Sequence, residues 1–390
     1  MEIVSVWLSR ALKVVQGAAD ELWNITAAKI PGVKPRGSWI ISDSERAAEL
    51  AHACNRPRSQ RRIPLDCATY DFSTMYTTLR LNDLKIRLRT LVGSIFAMKL
   101  KSTRARFLLV RADGTHEWIT TQRTVDHRKE YIMDADTLSS MIDALVERTY
   151  VIFGGKLWRQ TVGIPMGTNC AGFIANLYCF TYELAFLTRL VARGDWETAA
   201  SWQNVVRYID DLLAIDIPDF EERMYQSTEC PDGIYPKDIL TLSLADAGAR
   251  VPYMDLVIRQ NGRSGIVTTI YDKRLDSKYA DISVIRYPSI GSVLADKSKY
   301  GIVTSQMHRF SRRCSQKSEF VYNTALVMHR MFNKGYCCKK VWCKARAFLN
   351  QHPHLYGGKP LGLWVEKLKR KVGQLKAGAI LPGPYGQIQA

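Results

Sequence analysis

The chain has 390 residues, 46% of them hydrophobic, and sets 55 Lys and Arg against 37 Asp and Glu, for a net charge of +18. That length holds two or three cores, the apolar content excludes wholesale disorder, and the excess of cations favours a polyanionic partner, nucleic acid first. Nine cysteines in no disulfide-like framework and an N-terminus without the apolar core of a secretion signal lead to an intracellular protein, nuclear or cytoplasmic and not secreted; no run reaches the ~18 apolar residues of a membrane span.

Residues 1–62 open with a helical pattern and pass through the basic segments Lys34-Pro35-Arg36-Gly37 and 56–62. Residues 65–70 read as a strand, after which Leu81, Leu84, Leu88, Leu91, Val92 and Ile95 recur at helical spacing, with Asp71 at the junction. A hairpin is predicted over 99–125 around Gly114, then a helix over 136–150. The turn Gly163-Ile164-Pro165-Met166-Gly167 leads to a long buried helix over 172–190. Residues 205–209 and 212–215 read as short strands flanking Asp210-Asp211, with further strands over 253–258 and 266–271. The Lys/Arg-rich stretch 276–376 reads as mainly helical, and the Gly- and Pro-containing residues 377–390 as an unstructured tail. There is no internal repeat.

Two adjacent carboxylates between apolar runs are costly unless they sit at an exposed tip or bind cations. Asp71 alone reads more readily as a helix cap, and Tyr208-Ile209-Asp210-Asp211 alone is often just a polar turn. Together they supply the oxygen ligands of two-metal phosphoryl transfer, two Mg²⁺ ions about 3.5–4 Å apart, with Mn²⁺ as a substitute. Glycine at 163 and 167 lets backbone pass close to a nucleotide or template.

Asp71 with its Phe-Ser-Thr-x-Tyr continuation, Gln160 ahead of Gly163-Ile164-Pro165-Met166-Gly167, and Tyr208-Ile209-Asp210-Asp211 resemble, in order and spacing, the palm motifs of reverse transcriptases. Ile-Pro-Met-Gly-Thr-Asn, a helix ending near Tyr182-Glu183, and Tyr271-Asp272-Lys273-Arg274 resemble retroelement enzymes of the Penelope-like group. The resemblance covers roughly residues 65–355 and implies an α+β right-hand polymerase: a palm of antiparallel sheet and packed helices, partial fingers and a helical thumb. Its implied divisions are 1–62 partial fingers, 63–98 palm, 99–156 a fingers-like insertion, 157–275 palm, 276–376 thumb and 377–390 flexible tail.

The resemblance further implies Asp71, Asp210 and Asp211 as catalytic metal ligands, and an RNA template, a DNA primer and deoxynucleoside triphosphates as partners. Phe72, Tyr76, Gln160, Gly163, Pro165, Met166 and Gly167 would surround the nucleotide, with Tyr76 as the steric gate that turns away a ribose 2′-hydroxyl.

Departures from the family temper this expectation. Few residues precede Asp71, so the fingers are expected to be shortened or the chain truncated, with Lys34 and Arg36 as the available grips on the triphosphate. The lysine expected after the Tyr235-Pro236 pair is replaced by an uncharged residue, unless Lys237 stands in for it. Gly233-Ile234-Tyr235 lacks the second tripeptide of a GIY-YIG endonuclease, and the spacing of Cys337, Cys338 and Cys343 with His329, His352 and His354 suits a basic thumb helix better than zinc. A remnant that binds nucleic acid without polymerising and an RNA-dependent RNA polymerase are the alternatives; the sequence leaves the oligomeric state open.

Overall fold

The computed structural model describes residues 2–55, 65–227, 230–261, 265–273, 286–356, 360–378, 381–383 and 386–388. The basic stretch 56–62 and Arg274 fall outside them. The chain divides into two compact units, Met1–Ser42 with Ala68–Ala245, and Asp43–Cys67 with Asp246–Ala390.

In the first unit the helix Glu2–Ala27 places Leu8, Ala11, Leu12, Val15, Ala19 and Trp23 on one buried stripe, the 3- and 4-residue spacing of an amphipathic helix. It packs with Leu81–Thr103, Ala135–Glu147 and Ala171–Arg193. The last of these is buried around most of its circumference, as its dense apolar sequence requires. It continues past Tyr182-Glu183 to Arg193 and ends on Gly194, whose left-handed φ of 71° returns its N–H to Leu190 and Val191.

Against these helices lies a 4-stranded sheet in the order Leu242–Gly248, Cys67–Phe72, Asp211–Ile215, Val205–Tyr208. Ile40 adds a parallel bridge at Arg207. The expected hairpin around Gly114 forms between Phe107–Arg111 and His116–Ile119, and Glu130–Met133 completes its sheet. A separate ribbon, Tyr150–Phe153 paired with Lys156–Arg159, turns on Gly154 and Gly155 and exposes residues on both faces.

The second unit holds the antiparallel sheet Arg250–Tyr253, Leu256–Gln260, Ile266–Ile270 and the helices Ser44–Asn55, Asp296–Arg313, Lys317–Asn333, Cys338–Gln351 and Leu361–Lys376. The single strand expected over 253–258 is two strands, because Met254 takes a φ of 53° and the chain reverses between Tyr253 and Leu256. Cys338–Gln351 buries Val341, Ala345, Phe348 and Leu349 and exposes Lys339, Lys344 and Arg346. Near the C-terminus Leu381–Gly383 pairs with Gly386–Ile388. Among the described residues no helix is long and apolar enough to cross a membrane.

Candidate active site

The strand Cys67–Phe72 is apolar enough to lie inside the sheet and carries Asp71, half-buried, one residue from its end. Its neighbour is the hairpin of Val205–Tyr208 and Asp211–Ile215, whose tip is the two-residue turn Ile209-Asp210. The Phe72 N–H donates to the Asp210 carbonyl oxygen at 3.1 Å, which ties the strand to the tip. The two carboxylates consequently sense one another: burial first, and then the charge of Asp210, push the Asp71 carboxyl above its ordinary value of 3.8.

Of the two tip residues Ile209 alone has positive φ, 55°, the sign pattern of a II′ hairpin turn, in which glycine is usual. For a β-branched residue this conformation costs about 1–2 kcal/mol. Its Cδ1 lies 3.8 Å from the position a Cβ on Gly172 would take, so the side chain covers the first turn of Ala171–Arg193. Beneath the tip Arg207 is fully buried and paired with Glu183 at 2.6 Å. Burial lowers its pKa, but the charge of Glu183 outweighs this and keeps the guanidinium ionised. Tyr235 donates to the same Glu183 at 2.8 Å; loss of either partner of such a pair leaves an uncompensated buried charge, a cost of about 3–5 kcal/mol.

The Gly163–Gly167 turn docks on the short helix Met75–Thr78. Gly163 N–H reaches the Leu79 carbonyl and Ile164 N–H the Tyr76 carbonyl, both at 2.8 Å. At Gly163, φ is 84° and a Cβ would run into the Tyr76 carbonyl oxygen, so glycine is required by contact as well as by conformation. Gly167, at φ 98°, faces open space. Tyr76 itself is half-buried, and burial followed by the charge of Asp210 pushes its hydroxyl up to about 12.

The remaining expected site residues are placed less uniformly. Met166 is exposed and Pro165 buried. Gln160 donates its side-chain amide to the Val162 carbonyl and its own N–H to Thr149; beside it opens a cleft of about 790 Å³ whose lining includes Arg80, Lys85 and Arg159 but none of the three aspartates. The Phe72 ring points into the core, edge-on to Tyr235 at 5.2 Å. Arg36 is exposed on the segment leading to Ile40, and Lys237 lies over the Tyr225 ring at 5.6 Å. Gly233-Ile234-Tyr235 is core, with Gly233 packed on the Tyr225 backbone.

Sequence reading passed over Arg207, Asn176 and Ser243, the last of which donates to the Asp71 carbonyl at 3.3 Å. The signal for Arg207 was present, a lone cation inside the apolar strand Val205–Tyr208 with a lone acid, Glu183, inside an apolar helix.

Half-buried carboxylates that repel one another suit a hard cation with oxygen ligands. Among the described residues no group of three or more His, Cys, Asp or Glu is gathered closely enough to hold a metal by itself. Such a site fits Mg²⁺, which commonly takes one or two carboxylates and completes its shell with water and substrate phosphates.

No protein-family model and no curated protein matches the chain. With the α+β architecture in place, the class of fold is that of the right-hand polymerases, as expected. The solved structure of telomerase from Candida albicans in complex with a TWJ fragment of telomeric RNA is similar at a TM-score of 0.57 and 13% identity, over 92% of this chain and 55% of that one. Apo telomerase from Candida tropicalis matches at a TM-score of 0.45 and 11% identity, over 94% of this chain and 54% of that one. The Candida tropicalis enzyme with the TWJ fragment matches at 0.41 and 11%, over 90% and 56%. The chain spans about half the length of these telomerase chains, which are reverse-transcriptase-type polymerases.

Proposed function

We propose that this protein is an RNA-templated DNA polymerase that adds deoxynucleotides to a primer 3′-hydroxyl. The observation that carries the reading is the convergence of Asp71 with Asp210, beside Tyr76 and the docked Gly163–Gly167 turn, on one sheet of a right-hand polymerase fold. The unit with that sheet would serve as palm and the helical C-terminal part as thumb, and the motif set favours a retroelement enzyme of the Penelope-like kind.

Asp71 and Asp210, with Asp211, would hold two Mg²⁺ ions; the chemistry these supply is activation of the primer hydroxyl and neutralisation of charge on the leaving pyrophosphate. The protein's own work is positional. Asp71 and Asp210 would set the site between them, one on a strand and one on the adjoining tip. The Tyr76 ring would lie under the sugar and leave no space for a 2′-hydroxyl. The turn through Gly167, with no side chain in the way, would let template or nucleotide approach the backbone. Exposed cations such as Lys339, Lys344 and Arg346 would follow the phosphates of the template–primer duplex.

The test is primer extension on an RNA template with Mg²⁺ or Mn²⁺, comparing deoxynucleotides with ribonucleotides. Metal-dependent extension with deoxynucleotides, abolished in Asp210→Asn while template–primer binding persists, is expected. Extension that survives in purified Asp210→Asn overturns the assignment.

A further inference from the structure

Five hydrogen bonds leave the buried guanidinium of Arg207. Nε and Nη2 reach the Glu183 carboxylate at 2.6 and 3.3 Å, Nη2 also reaches the Asn176 carbonyl at 3.1 Å, and Nη1 reaches Asn176 Oδ1 at 2.9 Å. An ion pair that served the core alone would need no more. The fifth bond, Nη1 to the Ile209 carbonyl oxygen at 2.9 Å, ends on the residue whose backbone is strained and which immediately precedes Asp210.

We propose that Arg207 is a positioning residue for the carboxylate pair: by holding the Ile209 carbonyl it keeps the tip in its left-handed form and so sets Asp210 against Asp71. This rests on the reading of those carboxylates as cation ligands. A turn of the same geometry at Met254-Asp255 is restrained differently, through the aspartate side chain, whose Oδ2 is taken by Arg309 and Arg313. At Ile209-Asp210 the restraint acts on the backbone, and among the described residues no lysine or arginine pairs with the Asp210 carboxylate. A carboxylate that must receive a cation cannot also be held by one, so the anchoring charge sits beneath the turn.

The test titrates the purified full chain with Mn²⁺ and follows bound metal by electron paramagnetic resonance, with thermal melting and primer extension measured alongside. Arg207→Lys, which keeps the charge but loses the fork that spans Glu183 and Ile209, is expected to weaken Mn²⁺ binding about tenfold, a change of about 1.4 kcal/mol. Glu183→Gln breaks the ion pair and leaves the bond to Ile209; it is expected to lower Tm at least as far yet hold Mn²⁺ affinity within about twofold. If Arg207→Lys does not fold, the double variant Arg207→Gln with Glu183→Gln removes both charges together and is expected to show the tenfold loss. Mn²⁺ affinity that follows Tm across these variants, or that is unchanged in Arg207→Lys, makes Arg207 a core ion pair only and overturns the proposal. Arg207-dependent Mn²⁺ binding in a wild-type protein that extends no primer would instead sink the polymerase reading and leave the positioning role standing.

Discussion

Tyr208-Ile209-Asp210-Asp211 and Tyr253-Met254-Asp255-Leu256 are the same turn used for opposite ends. In each, two antiparallel strands close through two residues, the first with φ near +55°, and the carbonyl of the aspartate accepts an N–H from the adjoining strand, Phe72 in one and Tyr271 in the other. They part in electrostatics. Asp255 meets Arg309 at 2.6 Å and Arg313 at 3.5 Å, which neutralises it. Asp210 meets the field of a second carboxylate, Asp71. A stabilised aspartate at a tip is a structural device, whereas one set against a like charge is a poor choice for stability and a good one for binding a cation.

Exchanging each aspartate in turn for asparagine separates the two tips most strongly. Asp210→Asn is expected to reduce primer extension by more than about 10³-fold, since the proposed metal ligand is lost, with Tm unchanged or slightly raised. Asp255→Asn is expected to keep activity and lose about 1–3 kcal/mol of stability in a denaturant titration, because Arg309 and Arg313 lose their counter-charge. The reverse pattern would show the assignment of roles to be inverted.

Gly163→Ala comes next. Its Cβ must displace either the Gly163–Gly167 turn or the Tyr76 backbone, so extension is expected to fall by about 10²-fold through misplacement of groups that are not themselves altered. Gly167→Ala, with open space around it, is expected to cost about 1 kcal/mol of backbone strain. Extension by Gly163→Ala that stays within about twofold of wild type would mean that contact with Tyr76 is irrelevant to the site.

A smaller effect is expected from Tyr76→Ala. If the ring lies beneath the sugar, removing it shifts the ratio of deoxynucleotide to ribonucleotide incorporation toward ribonucleotides by about 10- to 100-fold, or roughly 1–3 kcal/mol. Competition assays with paired nucleotides measure this, and an active variant with unchanged discrimination would reduce Tyr76 to packing.

The smallest effect concerns pH. Asp71, raised in the folded protein by burial and by Asp210, subtracts stability once pH rises past 3.8, its unfolded value, and the loss is complete above the folded value. Removing the Asp210 charge reduces that loss. Asp210→Asn is therefore expected to melt about 1–2 °C above wild type near neutral pH, with the difference vanishing toward pH 3.8. An equal difference at both pH values would mean that the two carboxylates do not interact.

Sequence alone was enough for the regular elements that carry Asp71 and Asp210-Asp211. Strand, helix and acidic hairpin lie where periodicity put them, because a residue's tendency to face a core is written in its near neighbours. The tertiary structure alone decided what those segments touch. Nothing local marks Ile209 or Met254 as left-handed, since that conformation is unfavourable for both and is imposed by surrounding contacts. Nothing local joins Arg207 to Glu183, Asn176 and Tyr235, which come from other elements. The helix Ser44–Asn55, read as part of one N-terminal segment, lies in the second unit because Asn55 bonds both backbone groups of Ile266. Backbone preference is short-ranged and legible along the chain, whereas the placement of a buried charge depends on partners far away in sequence that only folding brings within hydrogen-bonding distance.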